Sequence, residues 1–163
     1  MVSNAAPVLS FASAMVNSRL ALTMAGCTSS ALSRMTSTPR AFAMAGVTPA
    51  DIDVAEIYVP FSWFEPMWLE NLGFVDQGQG WKFTEAGETE IGGRIPFNPS
   101  GGVLSSNPIG ASGMIRFAEA AIQVMGKAGD HQVADARKAL GHAYGGGAQY
   151  YSMWLVGADK PTN

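Results

Sequence analysis

Residues 98–129, NPSGGVLSSNPIGASGMIRFAEAAIQVMGKAG, constrain this chain more than any other stretch. A loop of Pro, Gly, Ser and Asn runs directly into a helix predicted near 110–126. In that helix Arg116, Glu119 and Gln123 recur at i, i+3 and i+7, and most other positions are Ala, Ile, Met, Phe or Val. A helix that is apolar around most of its circumference is covered by protein on most sides. The chain must therefore fold in layers around it. The loop in front has two readings: a packing turn, or a segment whose glycines bring backbone close to a ligand.

The flanking pattern supplies the layers. A chain of 163 residues is the length of one ordinary domain. PVLSFASAMV (7–16) and the β-branched IDVAEIYV (52–59) read as strands. RKALGHAY and AQYYSMWLVG read as two more, hinged on Gly145, Gly146 and Gly147. Pro39 suits a helix start and Gly46 its stop, and residues 60–74 are apolar and aromatic at helical spacing, with Pro66 expected to disturb the first turns. Residues 75–99 are Gly-rich and polar, long enough for a functional excursion. Alternating strands and helices predict an α/β fold, a mixed sheet with helices packed on it. The division expected is an N-terminal strand and small-residue segment (1–38), the main domain (39–158) and a tail (159–163).

Composition removes some functions. The net charge of −3 offers no basic footprint for nucleic acid. No stretch supplies the roughly 18 charge-free apolar residues of a membrane-spanning helix. Charged residues are 14% of the chain against about 25% in typical proteins, which suggests extensive buried or interfacial surface. The first segment, MVSNAAPVLSFASAMVNSRLALTMAG, resembles a secretory leader but has no Lys or Arg before Arg19, so no leader is expected. The single cysteine, Cys27, cannot form an internal disulfide, which fits a reducing compartment, and a cytoplasmic location is expected. Cys27 itself reads as a small buried side chain rather than a nucleophile.

Few residues carry chemistry. His142, at a strand end before three glycines, is a candidate proton carrier, because a free imidazole titrates at about 6.5. The competing reading is a histidine held in the core. His131, in a polar turn, is expected to face solvent. Tyr58 is either a hydrogen-bond donor in a pocket or a core tyrosine. The histidines and the cysteine have no metal-ligand spacing, and no phosphate-binding glycine loop is present.

Four blocks add a resemblance: AFAMAGVTPADIDVAEIY, LENLGF with GETEIGGRIPFNPSGG, NPIGASG, and LGHAYGGG. In this order, between Arg40 and Gly157, they resemble the C-terminal half of thiolase-superfamily proteins, most closely the lipid-transfer (sterol-carrier) type grouped with acetyl-CoA acetyltransferases. The resemblance implies a thiolase-like half fold and a coenzyme A thioester as substrate, with no separate cofactor and no metal. It implies that Asn107, with Gly110, Ala111 and Ser112 behind it and Gly145, Gly146 and Gly147 opposite, lines the thioester cleft and polarises its oxygen. His142 would handle the proton. The turn at Asn107 and the triple glycine are expected to converge on one cleft.

The match departs from the family at its chemical positions. The loop histidine of the family falls on Asn107, which cannot accept a proton as a base. Tyr58 replaces a strand Asn or His, and Ala143 replaces a second cysteine. His142, Tyr58 and Tyr144 remain as proton carriers. The nucleophilic cysteine of thiolases belongs to an N-terminal half, and Cys27 is too close to Tyr58 to be its equivalent. The resemblance thus implies an acyltransferase domain active only with an N-terminal half supplied elsewhere. Two alternatives stand beside it: a retro-aldolase acting on 3-hydroxyacyl-CoA through tyrosines, and a non-catalytic CoA-ester-binding or interaction module. Expected partners are acyl-CoA, an N-terminal half or a second copy, and a small zinc- and OB-fold acyl-CoA-binding protein.

Overall fold

The computed structural model describes residues 10–17, 37–145 and 150–158. Cys27, Gly146, Gly147 and the 159–163 tail lie outside them. Strand β1 (Ser10–Asn17) comes first, followed by helix α1 (Ser37–Ala45) and β2 (Val54–Ile57). Helices α2 (Phe64–Asn71), α3 (Gly80–Glu85) and α4 (Gly102–Ser105) precede the long α5 (Ser112–Val124). Strands β3 (Lys138–Gly145) and β4 (Tyr150–Gly157) close the sequence. The four strands form one mixed sheet in the order β1-β4-β3-β2, with β2 parallel to β3 and the other pairs antiparallel. The strand assigned to the 1–38 segment is thus an edge of the same sheet as the main domain.

The sheet separates two apolar layers. On one face Val54, Ala139 and Val156 meet Ala120, Ala121 and Val124 of α5. On the other, Ala55, Ile57, Leu140, Met153 and Leu155 meet Ala41 and Phe42 of α1 and Trp68, Leu69 and Leu72 around α2. This assignment follows the period of two, since successive strand residues point to opposite faces. The result is helix–sheet–helix layering, the α/β architecture expected.

Local chemistry explains the element ends. Gly46 takes φ +65 and closes α1, with Val47 N–H donating to the Phe42 carbonyl as in a left-handed helix cap. Pro66 is the third residue of α2, inside the first turn where no intrahelical N–H is needed, so the helix continues undisturbed. The outer edge of β2 is covered by residues 96–98. Ala55 N–H donates to the Pro96 carbonyl, Asn98 N–H to the Ala55 carbonyl, and Asn98 Oδ1 accepts from Ile57 N–H at 2.7 Å. Asn98 holds φ +54 to do this, a region that Asn enters more readily than most residues. An amide side chain here stands in for a missing strand.

Helix α5 differs from its sequence reading in one respect. Its polar stripe points inward at Arg116 and Gln123, which are 3% and 0% exposed, while Met114 on the apolar side is 64% exposed. Burial is tolerated because both polar groups are partnered. Gln123 donates to the His131 carbonyl and accepts from Val133 N–H and Gln132, and Arg116 pairs with Glu56. The helix lies close to β3 through small residues. A β-carbon built on Gly113 would sit 2.7 Å from Ala143 Cβ, and one on Gly141 would sit 3.3 Å from the Arg116 carbonyl oxygen. Among the described residues, no helix is long and apolar enough to cross a membrane.

Candidate functional site

The parallel strands β2 and β3 end side by side, Ile57 opposite His142, and Tyr58 N–H donates to the His142 carbonyl just beyond. Tyr58 and Tyr144 thus lie at the carboxyl ends of adjacent parallel strands, where ligands commonly bind in open α/β sheets. Their rings meet edge to face at 4.9 Å. From the other side the loop before α5 brings in Asn107. Its Oδ1 accepts from Ser112 Oγ at 2.7 Å, from Ile109 N–H at 3.2 Å and, more loosely, from Tyr58 Oη at 3.5 Å. With a backbone N–H and hydroxyls directed at one atom, that atom must be the amide oxygen. The Asn107 amide nitrogen, on an exposed loop, makes none of these contacts and stands as the donor of the group.

The loop conformation is held under tension. Ile109, a β-branched residue, has φ +46 and is 78% exposed. Such a backbone ordinarily costs about 1–3 kcal/mol and persists only where its surroundings enforce it. Here the N–H of the strained residue is the one bound to Asn107. Gly110 and Ala111 are exposed in the short 3-10 turn Ile109–Ala111, and Ser112 is buried as the first residue of α5. Gly145 is exposed at the end of β3; Gly146 and Gly147 fall outside the described residues.

His142 stands apart from this group. It is fully buried on the α2 side of the sheet, with its ring 4.4 Å from that of Trp68 and 6.3 Å from that of Tyr151. Among the described residues, neither ring nitrogen has a hydrogen-bond partner. Burial pushes its pKa down to about 3, so the imidazole is neutral at physiological pH. Among the described residues the ring makes no hydrogen bond to Tyr58, Asn107 or Tyr144, the other expected proton carriers. Tyr144 is half-buried, and desolvation, followed by the neighbouring Tyr58 and Tyr151, raises its pKa. Its phenol is a proton donor at neutral pH. His131, expected in solvent, is half-buried and lies 3.1 Å from Glu119.

The aromatic stretch FSWFEPMWLENLGF, which under the interaction-module reading would mark an exposed docking face, forms a wall beside the site. Phe64 stacks on Tyr144 at 5.6 Å and on Trp63 at 4.0 Å, and Phe61 and Trp63 are more than half exposed. The remainder of FSWFEPMWLENLGF supplies Trp68, Leu69, Leu72 and Phe74 to the core. The sequence reading passed over Glu56, because one carboxylate in a β-branched strand carries no local sign of a partner. Among the described residues, no three His, Cys, Asp or Glu side chains are grouped to hold a metal.

Comparison with known proteins places the fold. Residues 13–157 match the family described as thiolase C-terminal domain-like. An acetyl-CoA acetyltransferase of Methanothermobacter thermautotrophicus is 44% identical over 107 residues, covering 65% of this chain and 28% of that protein. Human sterol carrier protein 2 is 39% identical over 126 residues, covering 76% and 23%. The chain thus spans roughly a quarter of the length of these relatives. Among solved structures, the Ltp2-ChsH2(DUF35) aldolase superposes with a TM-score of 0.64 at 33% identity, covering 75% of this chain and 31% of that one. The family match extends over residues 13–157, most of the sequence: this chain belongs to the thiolase C-terminal domain-like family.

Proposed function

We propose that this domain contributes the tyrosine half of a retro-aldol site acting on a 3-hydroxyacyl-CoA. The observation that carries the reading is the Tyr58–Asn107–Tyr144 group, formed where the strands end while His142 is sealed away. The bond between the α and β carbons of the substrate breaks. The β-hydroxyl passes its proton to the Tyr58 oxygen as that phenol releases its own proton to solvent, and the β carbon becomes a ketone or aldehyde. The electron pair passes to the α carbon as a thioester enolate. Tyr144 hydrogen-bonds the developing charge as a neutral phenol, and a proton taken up from solvent at the α carbon completes a shortened acyl-CoA. The Asn107 amide nitrogen, aimed by the contacts on its oxygen, donates to the thioester carbonyl, and the exposed Gly110 and Gly145 leave room for it. A preorganised donor of this kind stabilises charge without reorganising during the reaction.

The aldolase among the solved relatives supports the reading. That assembly also supports a companion protein for this chain. A thiolase reading rests on the acetyltransferase likeness and needs a nucleophilic cysteine from another segment. Incubation with a 3-hydroxyacyl-CoA, alone and with a thiolase N-terminal half, separates the two. The expected result is release of a ketone or aldehyde with a shortened acyl-CoA, reduced about 100-fold or more by Tyr144→Phe. CoA-dependent thiolysis of acetoacetyl-CoA that survives Tyr144→Phe would replace the aldol reading with the acyltransferase one. Tight binding of the CoA ester without either reaction would leave a binding module.

A further inference from the structure

Polar contacts cross from the β2 chain to α5 in two successive rungs, and both pass through the segment between Phe97 and Ser112 that includes α4. The outer rung is Tyr58–Asn107–Ser112, already described. The inner rung is Glu56–Ser100–Arg116. Glu56 Oε2 accepts from Arg116 Nη1 at 2.6 Å and from Ser100 Oγ at 2.8 Å, and Glu56 Oε1 accepts from Ser100 N–H at 3.1 Å. Arg116 Nη1 also reaches Ser100 Oγ at 3.0 Å. Each side of the ladder follows a structural period. Glu56 and Tyr58 are two positions apart on extended chain, and Ser112 and Arg116 are one turn apart, both buried, on α5. The crosspieces, Ser100 and Asn107, flank α4 in the segment that leads into α5.

Stability does not explain the inner rung. Glu56 and Arg116 are 0% and 3% exposed, and Arg116 Nε has no partner among the described residues. Burial raises the Glu56 pKa even with the arginine beside it, so desolvation outweighs the attraction. Apolar residues of similar volume commonly replace such a pair without loss of stability. What the pair does supply is register, because a bridged ion pair has few acceptable geometries. We propose that Glu56, Ser100 and Arg116 form a positioning clamp that sets Asn107 and Ser112 against Tyr58. The catalytic consequence rests on the retro-aldol reading above, but the positional one does not.

The test compares Ser100→Ala, which leaves both charges in place, with the double variant Glu56→Leu/Arg116→Met in the full chain. The readouts are thermal unfolding, the ring signals of 13C-labelled Tyr58 and Tyr144, and steady-state kinetics with a 3-hydroxyacyl-CoA. The clamp predicts that the double variant melts no lower than the parent. It also predicts displaced signals for both tyrosines and a kcat lowered about 100-fold, because misplacement by about an ångström has that effect. KM should stay within about twofold, since the loss is felt in the transition state. Ser100→Ala should move the same signals in the same direction by less. Unmoved tyrosine signals in either folded variant would overturn the clamp. If the double variant fails to fold, Ser100→Ala decides; if the parent shows no aldol cleavage, the functional reading falls while the tyrosine signals still judge the clamp.

Discussion

Acid should loosen this fold through His142, and the effect can be isolated. In the folded chain the imidazole is fully buried with a pKa of about 3, against 6.5 in the open. Below pH 6.5 the unfolded chain therefore binds a proton that the folded chain refuses. The stability associated with the neutral imidazole is complete above about pH 6.5 and declines as pH falls toward 3. Each unit of that window is worth about 1.4 kcal/mol, so lowering the pH from about 8 to about 5 should remove about 2 kcal/mol. Other groups move over the same range. Glu56, whose pKa is raised, works in the opposite direction, because its folded carboxyl takes up a proton more readily than the unfolded one. The remedy is a difference of differences. Urea unfolding followed by tryptophan fluorescence, at both pH values, is compared between the parent and His142→Leu. The variant retains the other groups, so its loss between the two pH values should be smaller by about 2 kcal/mol. At pH 8 it should also be more stable by about 1–3 kcal/mol, because two buried nitrogens without a partner among the described residues are gone. Equal pH dependence in the two proteins would refute the burial argument and place an accessible, titrating imidazole at this position.

Three further outcomes follow from packing and backbone geometry. Gly113→Ala places a methyl group 2.7 Å from Ala143 Cβ and should lower stability by about 1–3 kcal/mol in chemical unfolding, and Ala143→Gly should restore part of it. Asn98→Ala removes the acceptor of Ile57 N–H and forces alanine to φ +54; a loss of about 1–3 kcal/mol is expected, with amide exchange at Ile57 accelerated. Ile109→Gly relieves the φ +46 backbone and should raise the melting temperature, although it leaves the loop freer around Asn107.

Much of the architecture was legible in the residues themselves. The apolar circumference of 110–126 required a covered helix, Gly46 marked a helix end, and the alternating segments at 52–59 and 137–157 marked the strands, because these signals depend on near neighbours and on period alone. The site was legible only as a set of candidates. Arg116 and Glu119 look alike on a helical wheel, yet Arg116 is buried because Glu56, sixty positions away, waits for it. His142 in front of glycines has the same sequence whether open or sealed, and Trp68 from another layer sealed it. The contacts of Tyr58 with Asn107 and with Tyr144 depend on where β2 and β3 end beside the loop before α5. Local periodicity determines which face of an element is apolar, whereas burial, pairing and convergence are properties of distant segments brought together, and the tertiary structure alone decided them.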